Sequence, residues 1–178
     1  MSKHTATIHE DEIFSSIAYK ELLKKKTAFE YYKSNGASDR ILDLVSMNAR
    51  SYGCFAEKFI RSHFGMEYPS NTEHDAILLD RSIELKAPRM GATGKYFIQH
   101  IKPYHDFQYI LISLLLFNGY SSFILTKTQA MQLLSDQRGE GYFIYHRDLE
   151  EHATVIENAD ELRNFIKKHR TKSWVLND

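Results

Sequence analysis

Apolar residues recur along the chain at helical spacing in several segments, which predicts amphipathic helices. The clearest is residues 50–64, where apolar side chains follow one another every three or four positions and Gly65 provides a stop (Tyr52, Phe55, Ala56, Phe59, Ile60, Phe64). Similar spacing predicts helices over residues 13–26, 39–47 and 158–169.

Other segments have the patterns of strands. Residues 108–117 form a nearly continuous apolar run, which is typical of a strand buried on both faces. The Asn118-Gly119 pair after it predicts a hairpin turn, and residues 120–125 supply the answering strand. A short helix over residues 127–134 and a short strand over residues 142–145 follow.

Three charged residues interrupt an apolar stretch between the first long helix and these strands. Residues 74–89 read HDAILLDRSIELKAPR, in which Asp75 opens an apolar run, Glu84 follows across a short polar turn, and one apolar residue separates Glu84 from Lys86. Glu84 and Lys86 lie two positions apart, so on a strand they share a face. A turn at Asp80-Arg81 would pair Asp75 with Lys86 and Ile77 with Glu84, which predicts that all three charges converge on one face.

The simplest interpretation of these charges is an ion pair on an exposed strand face. The neighbouring positions are apolar on both faces, however, and this indicates a central pair of strands (Ala76, Ile77, Leu78, Leu79, Ile83, Leu85, Ala87). Charges in such a place are costly unless they are paired or serve chemistry. Two carboxylates and an ammonium group are what a divalent-metal phosphodiesterase requires.

On these residues the chain resembles the PD-(D/E)xK nuclease superfamily, to which most type II restriction endonucleases belong. Asp75 matches the first acid of the family motif, with His74 in place of the proline, and Glu84 and Lys86 match the second acid and the lysine. Many members carry a further acid on the preceding helix, a position that Glu57 fits. The resemblance implies an α/β (α+β mixed) fold with a restriction-endonuclease-like core, in which helices flank a mixed sheet of about four or five strands.

The resemblance also implies roles for the residues of the site. Asp75, Glu84 and the backbone carbonyl of Leu85 are expected to bind Mg²⁺, a hard cation that prefers oxygen ligands. Lys86 is expected to orient or help deprotonate the attacking water, and Glu57 to complete a second metal site or hold its water shell. By analogy with the family, cleavage would leave 5′-phosphate ends.

Residues 81–102 contain five basic residues and one acid, a local excess of positive charge around the proposed site. A solvated loop is the simpler explanation, and DNA contact is the functional one. The candidates for DNA contact are Arg89, Lys95, Gln99, His100, Lys102 and His105. The formal net charge of the whole chain is zero, which favours a site-selective enzyme over a nuclease with a broad electrostatic grip.

The length of 178 residues and the apolar fraction of 43% predict one domain over residues 1–178. We divide it into a helical N-terminal extension (1–48), a catalytic core (50–135) and a C-terminal segment of strand and helix (136–178). The single cysteine, Cys54, is expected in the core and indicates a reducing, cytoplasmic setting. No apolar run is long enough for a membrane span, and no motif for an organic cofactor is present.

The sequence thus predicts a type II restriction enzyme that cuts double-stranded DNA, as a homodimer if its site is palindromic. A PD-(D/E)xK nuclease of DNA repair, junction resolution or phage DNA processing is the first alternative. A non-catalytic nucleic-acid-binding module on the same fold is an alternative of another class. An unrelated α/β domain with a coincidental motif is the third.

Overall fold

A computed structural model of the chain describes residues 27–69, 71–135 and 141–170. The helix predicted over residues 13–26 lies outside the described residues. The described elements in chain order are α1 (Ala28–Ser34), α2 (Asp39–Ser46), α3 (Ala49–His63), β1 (Ala76–Leu78), β2 (Arg81–Lys86), β3 (Ile98–Ile101), β4 (Tyr109–Leu115), β5 (Tyr120–Thr126), α4 (Lys127–Leu133), β6 (Tyr142–Ile144), α5 (His146–His152), β7 (Thr154–Ile156) and α6 (Ala159–Lys168).

Five strands form one mixed sheet in the order β1-β2-β4-β5-β7. β2 and β4 are parallel, while the other neighbouring pairs are antiparallel. The crossover between β2 and β4 contains β3, which pairs with β6 in a separate two-stranded antiparallel sheet. A mixed sheet of this size flanked by helices confirms the predicted fold class. No helix in the described ranges is both long and apolar enough to cross a membrane.

The core is built around β4, whose seven residues are all buried. This burial explains the nearly continuous apolar run in the sequence, because a strand covered on both faces needs no polar alternation. Its buried Ser113 shares a hydrogen bond of 2.8 Å with Ser122 of β5, so neither hydroxyl lacks a partner. The predicted hairpin is formed, but its turn is centred on Phe117 and Asn118, one residue earlier than predicted. Leu115 pairs with Tyr120, and the Leu116 N–H donates to the Gly119 carbonyl at 2.7 Å.

Helix α3 covers the sheet with a narrower apolar stripe than its sequence predicts. Its buried apolar residues recur every four positions (Tyr52, Ala56, Ile60). Phe55 and Phe59 lie on one flank and stack on each other, with ring centroids 6.1 Å apart. Cys54 is exposed, which corrects the expected core position: it follows Tyr52 by two residues and so points away from the stripe.

The described structure also contains α1, α5 and β7, which the hydrophobic pattern does not predict. These elements have only three to seven residues and present mixed polar faces. The start of α1 carries a recognisable signal, since Thr27 and Glu30 form a reciprocal capping box. Tyr32 anchors this helix by donating its hydroxyl to the Leu115 carbonyl at 2.6 Å.

Candidate active site

The hairpin that carries the charged motif turns one residue earlier than predicted. Leu79 and Asp80 occupy the turn with φ values of 52° and 60°, and Leu78 pairs with Arg81. The predicted turn at Asp80-Arg81 is therefore wrong, and the pairing is shifted by two residues. A shift of two keeps each side chain of the paired strands on its predicted face, because side chains alternate with period two.

Asp75 lies immediately before β1, where it is fixed against β2. Its backbone N–H donates to the Ile83 carbonyl at 3.0 Å, and its Oδ2 accepts the Leu85 N–H at 2.8 Å. The predicted facing pair of Asp75 and Lys86 is not formed in this register. The Asp75 carboxylate instead binds the backbone of β2 at Leu85, which lies beyond the residues that pair with β1.

Glu84 and Lys86 form the centre of the site. The Lys86 Nζ lies 2.5 Å from the Glu84 Oε1, and the two side chains are 21% and 8% exposed, respectively. The ion pair shows that both side chains lie on one face of β2, as the two-residue spacing predicts. Burial raises the pKa of Glu84, the Lys86 ammonium group offsets part of that rise, and the nearby Asp75 carboxylate adds to it.

Helix α3 brings Glu57 to the same cluster. Glu57 is half-buried, and burial raises the pKa of its carboxyl group, with a further rise from the charge of Asp75. Lys86 and Arg61 act in the opposite direction. The sequence prediction that an acid from this helix reaches the hairpin therefore fits the electrostatics of the folded chain.

Arg61 belongs to the site and was missed in the sequence. It is buried, and its Nη1 donates to the Asp75 backbone carbonyl. Its guanidinium group also lies 4.2 Å from the centre of the Tyr68 ring. The available signal was its spacing: Arg61 follows Glu57 by four residues, which places both on one side of the helix.

His74 lies directly before Asp75 in the chain. The side chain is buried, and neither ring nitrogen has a hydrogen-bond partner within the described part of the chain. A polar ring therefore lies inside the protein next to the site.

Among the predicted DNA contacts, Arg89 has a different placement from the one expected. Its Nη1 donates to the carbonyls of Leu44, Val45 and Met47, at 3.0, 2.7 and 2.8 Å. The guanidinium group also lies 4.4 Å from the centre of the Tyr52 ring. These carbonyls end α2, so the structure favours an architectural role for Arg89 over a DNA contact.

The other predicted DNA contacts lie on β3 and its flanks. His105 is half-buried and close enough to Glu84 that its charge lowers the pKa of that carboxyl group. The Lys127 Nζ holds this loop by donating to the His105 carbonyl at 2.6 Å. Lys102 is half-buried in the same loop. The exposed candidates are Lys95, Gln99 and His100.

The groups that could bind a metal are two carboxylates and one backbone carbonyl. In the described ranges, no three side chains of His, Cys, Asp or Glu are arranged to hold a metal ion by themselves. Asp75 and Glu84 nevertheless flank Leu85, whose carbonyl is directed to the same side of β2 as the N–H that Asp75 accepts. Such a set suits Mg²⁺, which keeps several of its waters when bound.

A cavity of about 560 Å³ lies elsewhere, against α3, β5 and β7. Its walls are largely apolar or aromatic and include Phe59, Tyr120 and Val155. None of the four charged residues Glu57, Asp75, Glu84 and Lys86 lines it. We therefore assign the candidate active site from the charged cluster and not from this cavity.

Comparison of the chain with models of known protein families and with curated proteins found no match in either. Any function assigned to the cluster therefore rests on its own residues and their geometry.

Proposed function

We propose that the chain is a Mg²⁺-dependent DNA endonuclease that hydrolyses phosphodiester bonds at the cluster of Glu57, Asp75, Glu84 and Lys86. The observation that carries this proposal is the buried ion pair of Glu84 and Lys86 with two further carboxylates beside it. A structural ion pair needs no second or third acid. Gathering three acids around one lysine raises the free energy of the metal-free protein, which is understandable if the site binds a cation.

The carboxylates fit a divalent cation. Burial raises the pKa of both Glu57 and Glu84, repulsion from Asp75 adds to the rise, and a bound cation would relieve that repulsion. Asp75, Glu84 and the Leu85 carbonyl would hold the ion, with Glu57 positioned to bind its water shell. When bound, Mg²⁺ polarises a phosphodiester and makes a coordinated water more acidic.

The protein's own groups supply orientation and charge. Lys86 is held by Glu84 with its ammonium group at the cluster, where it can hydrogen-bond the attacking water and stabilise charge that develops on the phosphate. The Leu85 N–H orients the Asp75 carboxylate, and Arg61 anchors the backbone at the same residue. These contacts fix the first acid before substrate binds, which preorganises the site.

A type II restriction enzyme acting on duplex DNA, as a homodimer, is one candidate within this class. The neutral net charge supports it, because such an enzyme reads base edges and depends less on phosphate contacts. A nuclease of repair, junction resolution or phage DNA processing uses the same chemistry on a different DNA structure. The substrate distinguishes the two.

The test is a cleavage assay of the purified chain on long unmethylated duplex DNA, with Mg²⁺ and with EDTA. We expect cleavage with Mg²⁺ and none with EDTA, and at least about a hundredfold loss of rate in Lys86→Ala. Discrete fragments would identify the restriction enzyme. Lys168→Ala, which removes an exposed lysine at the end of α6, is the matched control and should cleave normally. Because Lys86→Ala leaves Glu84 buried and unpaired, circular dichroism must show that the variant is folded, and Asp75→Asn provides a second inactive variant.

A metal-dependent smear, or cleavage confined to branched or single-stranded DNA, would favour the processing nuclease. Folded wild-type protein that cleaves none of these substrates with Mg²⁺ or Mn²⁺ would overturn the proposal. DNA binding without cleavage would then support the non-catalytic module.

A further inference from the structure

The small sheet of β3 and β6 carries a pair of aromatic side chains on its outer face. Ile98 and Ile144 are paired across the two strands and are buried, so the next residues outward, Phe97 and Tyr145, point to the opposite face. The antiparallel register also places Phe97 and Tyr145 opposite each other. Their exposed fractions are 52% and 49%, so both large rings are open to water.

A cavity of about 430 Å³ opens beside this pair. Aromatic rings form much of its wall, and one isoleucine, one serine, one threonine and one lysine complete it (Thr93, Lys95, Tyr96, Phe97, Ser135, Phe143, Ile144, Tyr145). No acidic side chain of the described residues lines it. Flat apolar walls with a few polar groups suit a planar ligand with hydrogen-bonding edges.

Two basic residues accompany the aromatic pair. Lys95 is exposed and lines the cavity, and the Arg147 guanidinium group lies 5.5 Å from the centre of the Tyr145 ring. The Arg147 Nε pairs with Asp148 at 3.2 Å, and the side chain is otherwise largely exposed. Cations beside exposed aromatic faces are the combination that binds a nucleobase together with its phosphate.

We infer that this surface, which we call the aromatic ribbon (Lys95, Phe97, Tyr145 and Arg147), binds unpaired nucleotides of a DNA strand that continues into the acidic cluster. The claim that the strand continues into the acidic cluster rests on the proposed endonuclease function. Stacking requires a base whose face is free, and a base inside a duplex is already stacked on its neighbours. The ribbon therefore selects single-stranded or unpaired segments.

The ribbon is connected to the active site by a short stretch of chain. Phe97 and His105, which lies at the cluster, are eight positions apart in the chain, so at most about 28 Å separates them. The exposed Gln99 and His100 lie between them in the chain. A strand of several nucleotides held on the ribbon is long enough to cover this distance.

This inference favours the processing nuclease over the restriction enzyme. Repair, junction and phage DNA intermediates present unpaired nucleotides beside duplex, whereas an intact restriction site does not. The expected substrate is therefore a branched or flapped DNA whose single strand lies on the ribbon.

The test measures binding in EDTA, where cleavage cannot interfere, by fluorescence anisotropy with a labelled single strand of about a dozen nucleotides and with its paired duplex. We expect the wild type to bind the single strand at least about tenfold more tightly than the duplex. The double variant Phe97→Ala/Tyr145→Ala should lose at least about tenfold in this affinity, and Phe97→Trp/Tyr145→Trp should retain it. Phe55→Ala, which removes an exposed aromatic ring from α3, is the matched control and should bind as the wild type does.

Equal affinity for single strand and duplex, or a folded alanine variant that binds normally, would overturn the inference. So would tight binding of a mononucleotide without affinity for a strand, which would indicate a small-molecule site. Cleavage of DNA that does not depend on the ribbon rejects this inference and leaves the endonuclease proposal intact. Ribbon-dependent binding with no cleavage on any substrate rejects the endonuclease and leaves a single-strand-binding module.

Discussion

Charged residues near the motif take different roles according to the groups that surround them. Lys86 and Arg89 lie three residues apart and both carry positive charge. Lys86 pairs with a buried carboxylate at the candidate active site, whereas Arg89 donates to backbone carbonyls at the end of α2. Fewer basic side chains are therefore available to bind phosphate than the sequence count suggests, because Arg89 stabilises the fold.

At the same scale we predict that Glu57→Gln stabilises the metal-free protein at about pH 8. Burial and the charge of Asp75 raise the pKa of Glu57 in the folded state, so its contribution to stability is full below the unfolded pKa and is lost as pH rises through the folded pKa. Replacing it with glutamine removes that loss. Thermal melts in EDTA should give a higher Tm for the variant, and the difference should shrink as pH falls toward the ordinary value of 4.5.

Glu151→Gln is the control for this prediction, since Glu151 is 73% exposed on α5 and should show little change. A Tm for Glu57→Gln below that of the wild type at about pH 8 would show that the Glu57 carboxylate is stabilised by its surroundings and contradict the prediction.

At the scale of elements, the side chains of the β1–β2 hairpin lie on their predicted faces of the sheet although the turn lies one residue earlier than predicted. The turn lies at Leu79 and Asp80, and both have the left-handed backbone conformation that L-residues other than asparagine and aspartate adopt with strain. On its far side, β2 is held in register by four paired positions with β4, beginning at Ile83 and Tyr109. The tertiary pairing of β2 therefore accompanies a turn in which Leu79 is strained, whereas aspartate at position 80 tolerates the conformation.

We predict that Leu79→Asn/Asp80→Gly increases the free energy of unfolding by about 1 kcal/mol, because Asn-Gly suits a two-residue turn with positive φ at both positions. Urea unfolding followed by circular dichroism measures the difference. Asp80→Ala is the control and should give no increase, since alanine tolerates this conformation less well. A destabilised Asn-Gly variant would indicate that the Leu79 side chain contributes more by packing than its backbone costs.

At the scale of the whole molecule, the candidate site exists because the fold joins distant segments. Glu57 comes from α3, Asp75 and Glu84 from the two strands of the hairpin region, and His105 from the loop after β3. The carboxylates repel one another, so the folded state carries a local electrostatic cost that a bound cation would reduce. Stability and metal binding should therefore be linked across the whole domain.

We predict that Mg²⁺ raises the Tm of the wild-type protein, by an amount that corresponds to about 2.7 kcal/mol when the ion is at 100 times its dissociation constant. Asp75→Asn should show little or none of this shift, because it removes one of the two carboxylates expected to bind the ion. Asp43→Asn, which changes an exposed acid on α2, is the control and should keep the shift. An equal shift in Asp75→Asn and the wild type would place the cation elsewhere.

The sequence by itself determined the elements with strong patterns and the identity of the charged cluster. Helical periodicity predicted α3 and α6, the apolar run predicted β4, and the two-residue spacing placed Glu84 and Lys86 on one face, because these depend on local geometry alone. Only the tertiary structure decided the turn of the hairpin, the participation of Arg61 and the capping role of Arg89. Each of these depends on a contact between segments far apart in the chain, and no local pattern of residues specifies which distant group a side chain will meet.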